Sequence, residues 1–308
     1  MTLPARDRLL VIGAVVVPLL AWASAFLVIR ALAGAFDPGS LTLGRLAVAA
    51  VVLGGVQLAR GGWVRPTRRE WLLLGAFGLS WFLIYNLALN AAEHELDAGT
   101  AALLVNVAPL IVALVAGGLL GEGFPRWLMV GALVAFGGVA LIGAATATGA
   151  LSVTGVLLAL LAAVTYAIAV LLQKPLLRRL PGLQMTFIGV AIGTVGSLPW
   201  AGPLVAQVGA ATAAEIAGVA YLGVVPTAIA FLAWAYALSR MPAGRLITTT
   251  YLVPVLATAA AWPLLGEVPP PLALIGGLVC LVGVALTRLP DRALSRRPAP
   301  AATAAPRR

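Results

Sequence analysis

The apolar positions of this chain fall in long unbroken runs, not at alternate places and not on one face of a helical repeat. Ten runs of about 18–25 residues stand out, closed by Gly, Pro or charged residues: 9–30, 40–59, 70–90, 98–119, 126–145, 152–173, 183–204, 212–236, 245–264 and 270–288. At about 1.5 Å of rise per residue, roughly 20 apolar residues cross the hydrocarbon of a bilayer as a helix. A membrane strand would alternate apolar and polar residues, which these runs do not do. The pattern predicts an all-α integral membrane protein of ten transmembrane helices. Its least clean join is the Pro269-Pro270-Pro271 stretch before the last span.

Composition agrees. Of 308 residues, 62% are hydrophobic and only 10% charged, against about 25% charged in soluble domains. The mean hydropathy is +1.05. A fold of this size in water would have to keep its outer face wetted, so lipid is the solvent the surface fits.

The net charge of +10 would suggest nucleic acid in a soluble chain, but its placement suggests a membrane instead. With the N-terminus inside, 18 of the 20 basic residues fall on inner segments, including Arg60, Arg65, Arg68, Arg69, Arg178, Arg179 and the tail. Only Arg30 and Arg45 fall in the outer half, where Asp37, Glu93, Glu95, Asp97, Glu215 and Glu267 gather. This is the positive-inside distribution, and ten spans then place both termini in the cytoplasm. Arg6, Arg8 and the Ala-Trp-Ala-Ser-Ala stretch at 21–25 have the outline of a leader peptide. The apolar run continues past that point, and its removal would break the repeat described next, so the first span is expected to stay.

Residues 98–141 lie over 243–286 without a gap. Pro109 meets Pro254, Gly131 meets Gly276, Gly138 meets Gly283, and the Leu-Leu-Gly-Glu ending at Glu122 meets the one ending at Glu267. Earlier positions align more loosely, Trp22 with Tyr166 and Arg30 with Lys174. The expected domains are an N-terminal segment 1–8, a first repeat 9–145, a second repeat 152–289, and a disordered basic tail 290–308 on the cytoplasmic surface. Five helices per unit is an odd number, so the second unit is inverted. Glu122 then lies inside and Glu267 outside, an arrangement typical of secondary transporters.

The paired Leu-Leu-Gly-Glu motifs, each followed by a Gly-rich span, join Trp22-Ala23-Ser24-Ala25, Gly44-Arg45-Leu46-Ala47 and Asp97-Ala98-Gly99-Thr100. Together, over residues 9–289, they resemble the EamA family of the drug/metabolite transporter superfamily. The resemblance implies two EamA repeats and export or exchange of a small metabolite (amino acid, nucleoside, sugar or drug-like solute) across a bacterial inner membrane. The chain departs from strict symmetry at Arg45, which has Ile188 near its counterpart place, and at the acidic segment 93–97.

Polar groups within spans are the site candidates, because hydrocarbon penalises them unless they face a cavity or a partner. Asn86, Asn90 and Glu93 share one helix face by their spacing, as a cavity wall, as interhelical hydrogen bonders, or with Glu93 solvated. Asn106 stands a turn before Pro109 and Tyr251 a turn before Pro254, where proline frees a carbonyl and bends the helix. Trp22 and Tyr166 are deep enough to line a cavity, whereas Tyr85, Trp234 and Tyr236 fit an interfacial belt. Thr249 is a further cavity candidate, although Thr248, Thr249 and Thr250 can all bond their own backbone. Arg45 reads as an anion contact, as a partner of Glu93, or, favoured by its depth, as a side chain snorkelling to the outer interface. Glu93 and His94 are the titratable groups available for proton coupling, beside uncoupled exchange or diffusion. Glu122 and Glu267 read as interfacial helix ends.

One histidine and one cysteine, Cys280, leave no His-based or Cys-rich metal site, and no phosphate-cradling glycine loop is present. The expectation is a transporter, not an enzyme, with no cofactor or metal and no nucleic-acid partner. Its partners are a small solute and membrane lipid. A lipid flippase or scramblase of the same fold is the alternative, ahead of a membrane enzyme or sensor.

Overall fold

The computed structural model describes residues 5–119, 126–147, 151–238, 240, 246, 249–286 and 289. The first Leu-Leu-Gly-Glu motif beyond Leu119, together with Pro125, Ala243, Gly244, Arg245, Thr248 and the tail 290–308, lies outside these residues. The described residues are helical throughout, joined by short turns.

In the first half, α1 is Ala5–Leu32 and α2 is Pro38–Arg60. Next, α3 runs Arg68–Phe77, widens into a π-helical stretch Gly78–Ile84, and continues as Tyr85–Glu95. The half closes with α4 (Ala98–Val105), α5 (Ala108–Leu119) and α6 (Arg126–Ala147). In the second half, α7 is Val153–Leu176, α8 Gly182–Gly196 and α9 Ala201–Ala210. Then α10 runs Ala213–Leu222, Gly223–Ile229 in π-helical turns and Ala230–Leu238, before α11 (Leu252–Leu265) and α12 (Pro271–Leu286).

Five of these helices are long and apolar enough to cross a membrane, and the bent pair α8–α9 makes a sixth. Four shorter apolar helices occupy the places of the remaining expected spans. The seventh expected span, 183–204, is broken by 51°. Ser197 turns its hydroxyl back onto the carbonyls of Gly193 and Thr194, and Pro199 cannot continue the ladder. Large apolar side chains stand outward along the helices, Leu58 at 86% exposure and Leu133 at 71%. Such a face suits lipid and would be a liability in water.

The repeat offset of 145 read from the sequence recurs in the geometry. The π-helical stretches begin at Gly78 and Gly223 and end at Ile84 and Ile229. Capping boxes open α3 and α10, Thr67 with Glu70 and Thr212 with Glu215. Each satisfies two amides that the helix start leaves without partners.

Polar contacts tie the halves at both ends of α2, which at about 1.5 Å per residue separates its ends by roughly 34 Å. At the Asp37 end, Gln207 Nε2 donates to Asp37 Oδ2 at 2.7 Å, and Arg30 Nε donates to Glu267 Oε1 at 2.6 Å. At the other end, Gln184 exchanges two hydrogen bonds with the Val64 backbone, at 2.6 and 2.9 Å. There Arg179 pairs with Glu70 and donates to the Arg65 carbonyl. Shifted by about 145, the pair Asp37–Gln207 falls beside Gln184–Val64, as an inverted repeat requires. Glu267 is thus an ion-pair partner of Arg30 and not a free helix end.

The fifth span of each half, α6 and α12, meet along a glycine seam. A Cβ on Gly138 would stand 2.4 Å from the Gly276 carbonyl oxygen, and one on Gly283 2.3 Å from the Ala135 amide nitrogen. Small residues permit that approach. Gly137 has no neighbour within 4 Å of its place for a Cβ. Replacing Gly138 by Val is expected to destabilise the protein by about 1–3 kcal/mol, as overpacking does. Gly137→Ala should leave thermal unfolding in detergent unchanged or slightly raised.

Candidate functional site

The site grows out of the irregular turns. Pro226 lacks the amide that would bond the Leu222 carbonyl, and the Thr227 hydroxyl takes that carbonyl at 2.8 Å. The Pro226 carbonyl, set free in the same wide turns, accepts the Trp22 indole at 3.1 Å. In the first half, Asn86 Nδ2 donates to the carbonyls of Trp81 and Phe82, both at 3.0 Å. The helix between α4 and α5 breaks at Asn106 and Val107, ahead of Pro109, and Asn106 Nδ2 donates to the Ala102 carbonyl at 3.1 Å. A matching break at Thr250 and Tyr251 precedes α11 and Pro254.

These breaks converge on one cavity between the halves, about 70 Å³ in volume. At about 10–15 Å³ for each enclosed water, that is room for roughly five waters or a small solute. Both halves supply its wall: Trp22, Arg45, Tyr85, Asn86 and Asn106 from the first, Tyr166, Thr227 and Phe231 from the second. The aromatic rings interlock across the boundary, Trp81 on Phe231 at 5.0 Å and on Tyr166 at 5.3 Å, and Trp22 on Trp234 at 5.1 Å.

Of the residues singled out in the sequence, Trp22, Arg45, Asn86, Asn106 and Tyr166 line this cavity. Asn90 does not: its amide donates to Thr42 Oγ1 at 2.9 Å and to the Pro38 carbonyl, an interhelical tie. Thr249 bonds its own turn through the Leu246 carbonyl, and the neighbouring Thr250 takes the place on the wall. Tyr251 packs beside Tyr166 in an adjoining apolar cluster. Pro109 and Pro254 sit behind the breaks.

Arg45 departs from the snorkelling expectation. It is 6% exposed, points inward, and donates through Nη2 to Thr227 Oγ1 at 3.1 Å. Trp234 departs from the interfacial belt, at 3% exposure against Trp22, and Tyr85 is on the cavity wall. Glu93 is fully buried, not solvated, and neither carboxyl oxygen has a hydrogen-bond partner. Its charged surroundings are Arg30, Arg45, Glu267 and Asp97, and its own carbonyl accepts Arg30 Nη1 at 2.9 Å. His94, half-buried, closes the same end. At that end too, burial works to raise the Asp37 carboxyl, but hydrogen bonds from Ser40, Gln207 and the Gly39 amide outweigh it and hold the group below its usual range.

Trp81, Phe82, Thr227 and Phe231 were not marked by sequence reasoning. Aromatic residues within spans look like ordinary packing, and the signal that could have found them is their coincidence with the paired stretches at offset 145.

Among the described residues no group of His, Cys, Asp and Glu could hold a metal. A bundle of apolar-faced helices in two related halves, with a cavity walled by both, is the architecture of a multi-pass membrane transporter. The sequence profile of the EamA-like transporter family matches residues 9–144 and again 153–289, and the chain belongs to that family. It is 37% identical over 288 residues to a "Probable terminal-alkyne amino-acid exporter" of Streptantibioticus cattleyicolor, covering 93% of this chain and 95% of that protein. It is 31% identical over 271 residues to an uncharacterized transporter of Bacillus subtilis, covering 87% of each. A solved crystal structure at 21% identity shares the fold with a TM-score of 0.60, covering 89% of this chain and 95% of its own. The family and these named relatives are transporters, not enzymes.

Thr227 serves two partners, so Thr227→Val would leave Arg45 Nη2 unpaired and remove one of the hydrogen bonds to the Leu222 carbonyl. The expected cost is about 1–3 kcal/mol, the penalty for a buried polar group that loses its partner. Thermal unfolding of Thr227→Val and Thr227→Ser should separate them, with Ser close to the parent.

Proposed function

We propose that this protein is a secondary transporter that exports or exchanges a small metabolite across a bacterial inner membrane. In this reading ten spans cross the membrane with both termini cytoplasmic, and the two halves rock to open the central cavity to one side at a time. The observation that carries the reading is the cavity itself, walled by both halves, which are also joined by polar contacts at both ends of α2. Breaking one end set while keeping the other would open one side only. Amino acids are the first solutes to test, because the Streptantibioticus cattleyicolor relative carries that class in its name.

The reading is tested by locking the ends. In a Cys280→Ser background, which removes the native thiol, one double variant carries Asp37→Cys with Gln207→Cys and a second Val64→Cys with Gln184→Cys. Oxidation of either pair should stop amino-acid flux in proteoliposomes, and reductant should restore it. Ala25→Phe, which fills the cavity wall, should abolish flux without lowering protein yield. Flux that survives both crosslinks and the filled cavity would refute alternating access around this site. Scrambling of labelled lipid in place of solute flux would assign the fold to lipid handling.

A further inference from the structure

Among the described residues the cavity wall carries a single formal charge, Arg45. A guanidinium does not give up its proton in a protein. Taken out of water without a counter-ion it is costly, and such groups are ordinarily paired. Here the pairing is incomplete. Nη2 reaches Thr227, but Nε and Nη1 have no acceptor, and the buried Glu93, which belongs to the same charged cluster, makes neither a hydrogen bond nor an ion pair with Arg45. The side chain is more than nine-tenths buried and opens onto the cavity.

A second unfilled group faces the same space. Asn86 is 4% exposed, and both of its amide hydrogens are committed to the Trp81 and Phe82 carbonyls. That fixes the amide orientation and leaves Oδ1 as the acceptor with no donor. The cavity thus offers an unmatched cation and an unmatched acceptor, with aromatic rings over most of the remaining wall. A polyamine or a cationic drug would add like charge to Arg45. An uncharged sugar would bring no counter-charge to the guanidinium.

We propose that Arg45 and Asn86 form a head-group subsite for a zwitterionic amino acid with an apolar side chain. Arg45 takes the carboxylate, Asn86 Oδ1 accepts from the ammonium, and the side chain lies against Trp22, Tyr166 and Phe231. Thr227 is a positioning residue: it holds Nη2 and so aims the other two nitrogens. Because Thr227 belongs to the second half, the anion subsite is assembled only while the halves are together. This inference rests on the cavity being the transport site and adds the substrate class and the residues that select it.

The test is binding of four probes that share the leucine side chain to the purified full chain, by calorimetry: leucine, its carboxamide, 4-methylpentanoate and 3-methylbutylamine. The parent should bind leucine most tightly, then 4-methylpentanoate, with the amide and the amine at least about tenfold weaker than leucine, the worth of a charge-assisted hydrogen bond. Arg45→Gln should erase the preference for leucine over its amide. Asn86→Leu should weaken leucine by about tenfold or more while sparing 4-methylpentanoate, as loss of one hydrogen bond to a charged group predicts. If Arg45→Gln fails to fold, the parent's ranking and the Asn86→Leu arm still decide. Equal binding of leucine and its amide by the parent, or an unchanged preference in Arg45→Gln, overturns the subsite. Flux of some other solute that Ala25→Phe blocks, with no binding of any of the four probes, would sink the subsite and leave the transport reading standing. If Ala25→Phe and both crosslinks leave all flux intact, the transport reading falls with it.

Discussion

Within hydrocarbon a backbone carbonyl has no water to turn to, so an interruption of the helical ladder survives only where another group takes the freed oxygen. That constraint organises this protein. The wide turns in α3 and α10 and the breaks at Asn106 and Thr250 are the places where the ladder lapses. At three of them a side chain adds a hydrogen bond to a carbonyl of its own turn: Asn86 to Trp81 and Phe82, Thr227 to Leu222, and Asn106 to Ala102, whose oxygen also accepts the Asn106 backbone amide. The polar side chains required to mend the backbone are the same ones that give the cavity its chemistry. Structural repair and site construction are one act, which is why the cavity lies where the helices are least regular.

The two halves meet under a second condition, that their relation be a two-fold swap. The glycine seam satisfies it, since Gly131 against Gly283 and Gly276 against Gly138 are one contact seen from each half. The end contacts satisfy it only in position. At one end Gln207 binds Asp37 while an ion pair joins Arg30 to Glu267, and at the other Gln184 binds the backbone of Val64 while Arg179 pairs with Glu70. A swap that preserves place while exchanging chemistry gives two closures of comparable reach and unequal strength. The Arg30 pair, with side-chain exposures of 30% and 23%, has the more sheltered guanidinium and stands near the buried Glu93 carboxyl, while Glu70 at 14% is the less exposed of the two acids. Arg179 is 45% exposed, and such a pair is screened by solvent.

Much of the helical frame was legible in the sequence, because it is set by quantities a sequence carries: run length and a fixed offset. The offset of 145 drawn from Pro109 and Pro254 also located the π-helical stretches and capping boxes, which share it to the residue. The site was legible only in part. Asn86 and Asn106 stand out because amides within spans are conspicuous. Asn90, equally conspicuous, is spent on α2, since the partner that claims an amide is set by packing and not by spacing. Arg45 defeated the depth rule. Its stem is long enough to snorkel, but Thr227 on a helix 182 positions away offers an acceptor inward. No local pattern records an acceptor that only the inverted docking of the halves supplies.

Duplication gives symmetry of frame, and function requires its loss at the wall. At the shared offset, Asn86 corresponds to Phe231, Asn90 to Ala235 and Asn106 to Tyr251, while Ile188 stands near the counterpart of Arg45. The first half has kept or gained polar groups where the second holds apolar and aromatic ones. A solute with one charged end and one apolar end suits such a wall, and a symmetric solute does not. The asymmetry also bears on motion. The two wall amides, Asn86 and Asn106, have their hydrogen-bond geometry fixed through local carbonyls of their own half, whereas the Arg45–Thr227 and Trp22–Pro226 bonds cross the boundary. When the halves shift, the amides keep their aim and the guanidinium loses its tether. Among the described residues, the group that carries the cavity's only formal charge is therefore the one whose environment is set by the position of the halves.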